Sequence, residues 1–411
     1  MVTAKNNEHK TLNVPNLRFP EFEGEWERYK VSDILDFYST NSLSWEKLEY
    51  GTDTIQNLHY GLIHVGLPTV VDLSKDELPN VIEGNTPKNF ELCQQGDVAF
   101  ADASEDTNEV AKAIEFYNLD GRKVICGLHT IHGRDKQGKT VIGYKGYAFS
   151  STAFHHQIRR IAQGTKIYSI NSKNFTECYV GIPSKEEQTK IALLLRLIDD
   201  RISTQNKIIE DLKQLKSAII EMEYSSQTKT SSHIGDLIVQ TSKRNKNNAI
   251  QIVLSVSNRQ GFVRQSEQFE NRCVASDDTS NYKIVERNDF AFNPARINVG
   301  SIARLITFEK GIASPMYICF RTKGCTTPEY LDYFFESKQF LTEIQKRLEG
   351  SVRQCLSYEG LCNIPFPLLA IEEQQRIGKQ LFTLAQKIKL EKDFLEILHR
   401  QKQYLLHQMF I

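Results

Sequence analysis

Two stretches of the chain carry apolar residues at alternating spacings of four and three. In the first, Ile191, Leu195, Ile198, Ile202, Gln205, Ile209, Leu212, Lys216 and Ile219 follow that rhythm. In the second, Ile377, Leu381, Leu384, Ile388, Glu391, Leu395, Leu398, Lys402 and Leu405 repeat it at a constant offset of 186. Such spacing keeps one seam facing a partner helix, so the pattern predicts two long helices with matching registers. Ser184 with Glu187 three residues on forms a capping box for the first. No glycine or proline interrupts 184–234. A helix of about 40 residues is roughly 60 Å long and cannot be covered by one small domain, so it must pair. The expected partner is the other copy, in an antiparallel arrangement. There Gln205 and Glu391, the polar exceptions near mid-helix, would meet and penalise slipped registers.

The helices belong to a longer internal repeat. Each is preceded by an apolar residue and proline and then Glu-Glu-Gln, at Ile182-Pro183 with 186–188 and at Phe366-Pro367 with 372–374. Weaker echoes run upstream in the same order. Val31 to Leu35 resembles Ile234 to Ile238, Asp97 to Phe100 resembles Asp289 to Phe292, and Gly164-Thr165 resembles Gly350-Ser351. Short β-like runs separated by turns fill 1–183, among them Leu62 to Val65, Asp97 to Phe100 and Val124 to Cys126. Residues 233–366 read likewise, with Ile250 to Val256, Ser301 to Thr307, Tyr317 to Arg321 and a helical stretch from Pro328 to Leu348. Ser225 to Ser232 reads as a linker. The expected fold class is α+β: two mixed α/β domains, at 1–183 and 226–366, joined by two long helices, at 184–225 and 367–411, that form an antiparallel coiled coil with a pseudo-twofold repeat.

Composition adds constraints. Lys plus Arg and Asp plus Glu are each 51 of 411 residues, so no global field steers the molecule toward a charged partner. The domains differ, however: 1–183 holds 19 basic and 24 acidic residues, and 226–366 holds 18 and 14. Anion binding must come from local patches, with the second domain favoured. The longest apolar run falls far short of the ~20 residues of a membrane span, and no signal peptide opens the chain, so a cytoplasmic protein without membrane association is expected. The eight cysteines contain no C-x-x-C pair, which argues against a four-ligand zinc site and against a disulfide framework; they read as reduced, mostly buried thiols.

Several motifs suggest chemistry. Gly133 to Thr140 matches the G-x-x-x-x-G-K-[ST] phosphate loop, with Lys139 and Thr140 in the nucleotide-binding places. A working loop must lead into a helix that receives the phosphates. Val141 to Tyr147 instead reads as β-like and glycine-broken, so a basic hairpin loop carrying Arg134, Lys136 and Lys139 is expected, suited to DNA phosphates. Asn293-Pro294-Ala295-Arg296 lacks the second proline and the aromatic of an amino-methyltransferase motif. His129, His132, His155 and His156 lack metalloenzyme spacing and read as solvated or hydrogen-bonded loop histidines, so no metal site and no catalytic residue is assigned. The strongest cationic patch is Lys243, Arg244, Lys246 and Asn247, with Arg259, Gln260, Arg353 and Gln354 elsewhere in the second domain. Lys and Arg on phosphates position a protein, and Arg, Asn and Gln offer the forks that read bases. A second apolar stripe, Ile208, Leu215 and Ile220 with Phe394, Leu406 and Phe410, runs beside the seam. It would pack on the domains or dock other subunits.

The chain resembles the specificity (S) subunit of type I restriction-modification systems. The residues responsible are Leu17 to Phe22 followed by Trp26, the two Pro-then-Glu-Glu-Gln helix starts, Ala99-Phe100 with Ala291-Phe292, and Gly311 to Pro315. The resemblance implies a non-catalytic subunit whose two target-recognition domains each read one half of a bipartite, asymmetric double-stranded DNA site, with the helices as a ruler. It also implies two methylation (M) subunits that bind S-adenosylmethionine, and restriction (R) subunits that use ATP and magnesium, while this chain binds no cofactor itself. The residues alone leave two other readings open: a coiled-coil adaptor with protein-binding ends, and a phosphate-loop NTPase.

Overall fold

The computed structural model describes residues 13–170, 172–225, 230–258, 260–268, 278–350 and 354–411. Both seams form continuous helices, Lys185–Tyr224 and Ile371–Gln408. The chain divides into two compact units, Met1–Asn206 with Phe394–Ile411, and Lys207–Asp393, so each unit holds half of either helix. In the first unit Ile191, Leu195, Ile198 and Ile202 share a buried cluster with Leu398 and Leu405. Lys402 Nζ lies 2.6 Å from Asp199, and the Arg201 guanidinium sits over the Phe394 ring. In the second, Ile220 and Tyr224 cluster with Ile377 and Leu381, and Arg376 pairs with Glu223 at 3.6 Å. Within each unit, therefore, the helix halves run antiparallel along the periodic seam. Gln205 is buried in the first unit, and Glu391 pairs with Lys387 in the second.

Both units follow one plan. The first carries a five-stranded sheet ordered Asp36–Tyr38, Thr130–Arg134, Val98–Ala101, Ala113–Asn118, Val70–Asp72. The second repeats its first four places as Ile238–Thr241, Ile318–Thr322, Phe290–Phe292, Ile302–Arg304. A four-stranded sheet with one parallel pair accompanies each: Gln56–Leu58 beside Val124–Cys126, and Val253–Ser257 beside Lys310–Ala313. An antiparallel ribbon leads into each long helix, Glu27–Lys30 with Tyr179–Ile182 and Thr230–His233 with Pro365–Leu368. Edge-to-face phenylalanines fill both cores, Phe100 with Phe149 and Phe175 at 5.0 and 4.9 Å, and Phe334 with Phe366 at 4.9 Å. Each such pair adds about 0.5–1.5 kcal/mol beyond its buried area.

The repeated glutamines explain the Glu-Glu-Gln motif. Gln188 donates to the carbonyls of Pro183 (2.9 Å) and Lys139 (3.2 Å) and accepts from the Val141 N–H (2.8 Å). Gln374 donates to Leu369 (2.9 Å) and Cys325 (3.2 Å) and accepts from Thr326 and Thr327 (both 2.9 Å). Both side chains are fully buried. Each links the start of a helix to its own domain, where an unpaired amide would cost about 1–3 kcal/mol. Tyr144 and Tyr330 repeat the theme, donating to Gly181 (2.8 Å) and Pro367 (3.0 Å) on the ribbons. The capping box forms by half: Ser184 accepts from the Glu187 N–H at 3.3 Å, but the Glu187 carboxylate turns to the Arg18 guanidinium at 2.7 and 2.8 Å. Arg18 of the N-terminal motif thus clasps the first helix.

Some local expectations change. Leu62 to Val65 is not a strand: Leu62 to His64 end the helix Tyr60–His64, started by the His59 imidazole accepting from the Gly61 N–H, and Val65 follows it as an extended residue. The stretch from Pro328 to Leu348 is two helices, Pro328–Phe334 and Lys338–Gln345, separated where Ser337 caps the second. His132 and His155 are not loop residues: His132 lies in the strand Thr130–Arg134 and His155 in the helix Thr152–Ile161. Among the described residues no helix is long and apolar enough to cross a membrane.

His155 should make the first unit sensitive to acid. Burial, with Arg159 nearby, holds its pKa down at about 4, against 6.5 for the free side chain. Between those values the unfolded chain binds a proton that the folded chain refuses, so stability falls as pH drops through that window. The expected loss is up to about 3 kcal/mol. His155→Gln should flatten this part of the profile in chemical denaturation measured across the window, whereas an unchanged profile would remove His155 from the acid response.

Candidate nucleic-acid interface

The cationic segment after Ile238–Thr241 is a shaped loop. Buried Asn245 organises it: its amide donates to the Ile250 carbonyl at 2.9 Å, its oxygen accepts from the Ile250 N–H at 3.1 Å, and its own N–H reaches the Tyr282 carbonyl at 3.0 Å. The Lys243 carbonyl accepts from the Ile284 N–H at 2.7 Å, and Arg244 forms an antiparallel bridge with Lys283. The loop therefore extends the sheet at its Lys283–Glu286 edge. With the backbone fixed, Lys243, Arg244, Lys246 and Asn247 all point into solvent. Arg244 donates to the Asn281 amide oxygen at 2.9 Å, and among the described residues no carboxylate pairs with Lys243, Arg244 or Lys246. Lys310, partnered by Glu286 at 3.3 Å, lines the same concavity. Lys243, Arg244 and Lys246, held on an anchored backbone with no carboxylate paired to them among the described residues, can bind an anionic backbone at little ordering cost.

The other residues singled out by sequence fall in several places. Gln260 is exposed in the turn between Val253–Ser257 and Gly261–Arg264, at the opposite edge of the same sheet. Gln354 is exposed beside the bridge between Cys355 and Glu349. Neither lines the Lys243 concavity. Arg259 and Arg353 lie outside the described residues.

In the first unit the basic residues are engaged internally. Arg134 is only 9% exposed, and its guanidinium meets Asp97 twice at 2.8 Å, Glu91 at 2.8 Å and the Leu92 carbonyl at 2.8 Å. Those contacts push its pKa further up. Lys136 is exposed but faces Asp36 at 3.4 Å and the Tyr38 ring, and Lys139 lies 4.0 Å from the centre of the Tyr29 ring. The expected hairpin is absent. Thr130–Arg134 leads through a loop into a buried helix, Tyr144–Phe149. Asp135 occupies the place a phosphate would need, accepting from the Thr140 N–H at 2.8 Å and its hydroxyl at 2.6 Å. An anion there would meet a carboxylate, which argues against nucleotide binding.

A feature missed in the sequence is a ring cluster on the first unit. Trp45 is 44% exposed and packs against His59 at 4.6 Å; Tyr60 follows at 4.7 Å, with His129 5.3 Å beyond. Burial, and to a lesser degree His129, holds the His59 pKa below its ordinary value, so this ring is a neutral stacking partner. The four residues come from three separate segments, and no local spacing marks them.

The second apolar stripe divides. Ile220 and Phe410 are buried in the cores of their units, Phe410 against Trp26 and Tyr144, and Leu406 packs beside it. Ile208 is half-buried, while Leu215 and Phe394 are 50% and 36% exposed.

Two domains of one topology, each tied by a buried glutamine to a long helix paired antiparallel within its unit, define a duplicated two-domain, two-helix protein. No family model and no curated protein matches the sequence. Solved structures do. The type I restriction-modification system S subunit from M. genitalium matches with a TM-score of 0.60 at 15% identity, covering 97% of this chain and 99% of that one. A chain from work on complex assembly and conformational transition of the type I R-M system matches at 0.57 and 13% identity, covering 93% and 96%. The chain has the fold of a type I S subunit over nearly its whole length.

Proposed function

We propose that this chain is the non-catalytic DNA-specificity subunit of a type I restriction-modification complex. Residues 1–183 and 226–366 serve as target-recognition domains, each reading one half of a bipartite site. The helices at 184–225 and 367–411 set the distance between the halves. On B-DNA one helical turn is about 34 Å, so two readers on paired helices of roughly 60 Å can meet one face of the duplex with unread base pairs between. The domains share topology but not surface chemistry, so the half-sites differ. In the second domain Lys243, Arg244, Lys246 and Lys310 hold phosphates while Asn247, Arg259, Gln260, Arg353 and Gln354 are the candidates for base edges. In the first, Lys136 and Lys139 at the loop and the Trp45 ring cluster are the surface available. Leu215, Phe394 and Ile208 form the apolar surface offered to methylation subunits. S-adenosylmethionine, ATP and magnesium belong to the partners.

The observation that carries this reading is the duplicated fold, shared over 97% of the chain with an S subunit. The pinned cationic loop adds a surface suited to DNA. Sequencing modified bases in cells with and without the chain tests it. A bipartite methyladenine motif with unlike halves should vanish when the chain is deleted and return on complementation. An unchanged methylome in cells that retain the methylation subunits would refute the reading.

A further inference from the structure

Three buried side chains from separate segments converge in the first unit. Cys93 precedes the strand Val98–Ala101, and its N–H donates to the Val124 carbonyl at 2.8 Å. Cys126 ends the strand Val124–Cys126 in the four-stranded sheet, and His132 lies within Thr130–Arg134 in the five-stranded one. Cys93, Cys126 and His132 are 5%, 2% and 0% exposed. The two sulfurs are 3.5 Å apart, and a ring nitrogen of His132 lies with them inside a 4.8 Å span.

One nitrogen of the histidine is engaged and the other is open. Its Nε2 meets the Asp97 carboxylate at 2.7 Å, leaving Nδ1 buried without a hydrogen-bond partner. Asp97 is itself fixed by Arg134 and by the Gln94 N–H at 2.8 Å. A carboxylate holding one imidazole nitrogen so that the other faces a metal is the usual outer support of a histidine ligand. The sulfur spacing agrees. A disulfide would hold the sulfurs about 2.05 Å apart, whereas two zinc–sulfur bonds of about 2.3 Å at a tetrahedral angle place them roughly 3.8 Å apart.

We propose that Cys93, Cys126 and His132 Nδ1 bind a thiophilic metal ion, zinc(II), with Asp97 as the positioning residue. Each thiol releases its proton on binding, so the dication is neutralised by two thiolates, and water completes the fourth position. The ion ties the four-stranded sheet to the five-stranded sheet. Its role is structural, and the site is independent of the proposed DNA function.

The test uses the full chain, purified under reducing conditions without chelator. About one equivalent of zinc per chain is expected by elemental analysis. Cobalt(II) exchanged for zinc should give the near-ultraviolet thiolate charge-transfer band and intense visible bands of a tetrahedral site. Replacing both Cys93→Ser and Cys126→Ser should abolish that charge-transfer band, and either change alone should weaken it, whereas Cys325→Ser, at an exposed thiol, should leave it intact. Asp97→Asn should weaken metal affinity about 10- to 100-fold. Zinc-loaded protein should melt above chelator-treated protein. Folded wild-type chain that takes up neither zinc nor cobalt, a charge-transfer band undiminished in the double Cys93→Ser, Cys126→Ser variant, or a Cys93–Cys126 disulfide in freshly isolated protein would overturn the assignment.

Discussion

Replacing Lys243, Arg244 and Lys246 together with glutamine should lower the affinity of the full chain for duplex DNA on the order of 10²-fold at physiological salt. The slope of log affinity against log salt should fall by about 1 for each charge removed. The argument is one of counterions: each cation on a phosphate releases a condensed ion, and that release is the source of the salt dependence. The side chains project from a backbone held by Asn245, so the substitutions leave the loop's anchoring hydrogen bonds in place. Salt titrations followed by fluorescence anisotropy measure both quantities. A triple variant with wild-type slope would show that DNA does not touch this edge, and the second domain would need another reading surface.

Glu115→Leu should destabilise the first unit by about 3–5 kcal/mol, the cost of leaving a buried charge without its partner. Glu115 is fully buried and faces the Lys145 ammonium at 3.0 Å. It also accepts from the Gly143 and Gly146 N–H groups, both at 2.8 Å. Burial pushes its carboxyl pKa up, opposed by Lys145 and those two donors. Adding Lys145→Met to Glu115→Leu should restore much of the loss by removing the orphaned ammonium. A residue of about 1–3 kcal/mol should persist for the backbone donors left unpaired. Both tryptophans, Trp26 and Trp45, lie in the first unit, so their fluorescence in urea reports this transition. A double variant no more stable than Glu115→Leu alone would mean that the ammonium is not the source of the cost.

The same pair explains a helix where the sequence pattern predicts a strand. Val141 to Tyr147 has the β-branched and aromatic content of a strand, and its glycines read as breaks. Yet Gly143 takes φ +91 at the helix start, and a Cβ at Gly146 would meet the Thr69 carbonyl oxygen at 2.8 Å. Those glycines let a buried helix pass close to a strand, and Glu115, far away in sequence, accepts its first N–H groups. At Leu62 to Val65 a run of four residues has no period to choose strand or helix, and the His59 cap decides for helix.

The candidate site was legible only in part. The segment from Lys243 to Asn247 was visible as charge, but its rigidity came from Asn245, whose role depends on Tyr282. Arg134 read as a free cation because a sequence shows its charge and not its partners, Asp97 and Glu91, which lie 37 and 43 residues away. Cys93, Cys126 and His132 carry no ligand spacing at all, since a site assembled across two sheets has no local signature.

The sequence by itself determined the two long helices, their matched seams and the duplication that relates the domains, because helical periodicity and the Glu-Glu-Gln starts act within a few residues along the chain. Only the tertiary structure decided which charges face solvent, which apolar residues beside the seam remain exposed, and which thiols meet a histidine. Those outcomes follow from burial and pairing between residues distant in sequence, where the cost of an unpaired charge or donor outweighs local preference.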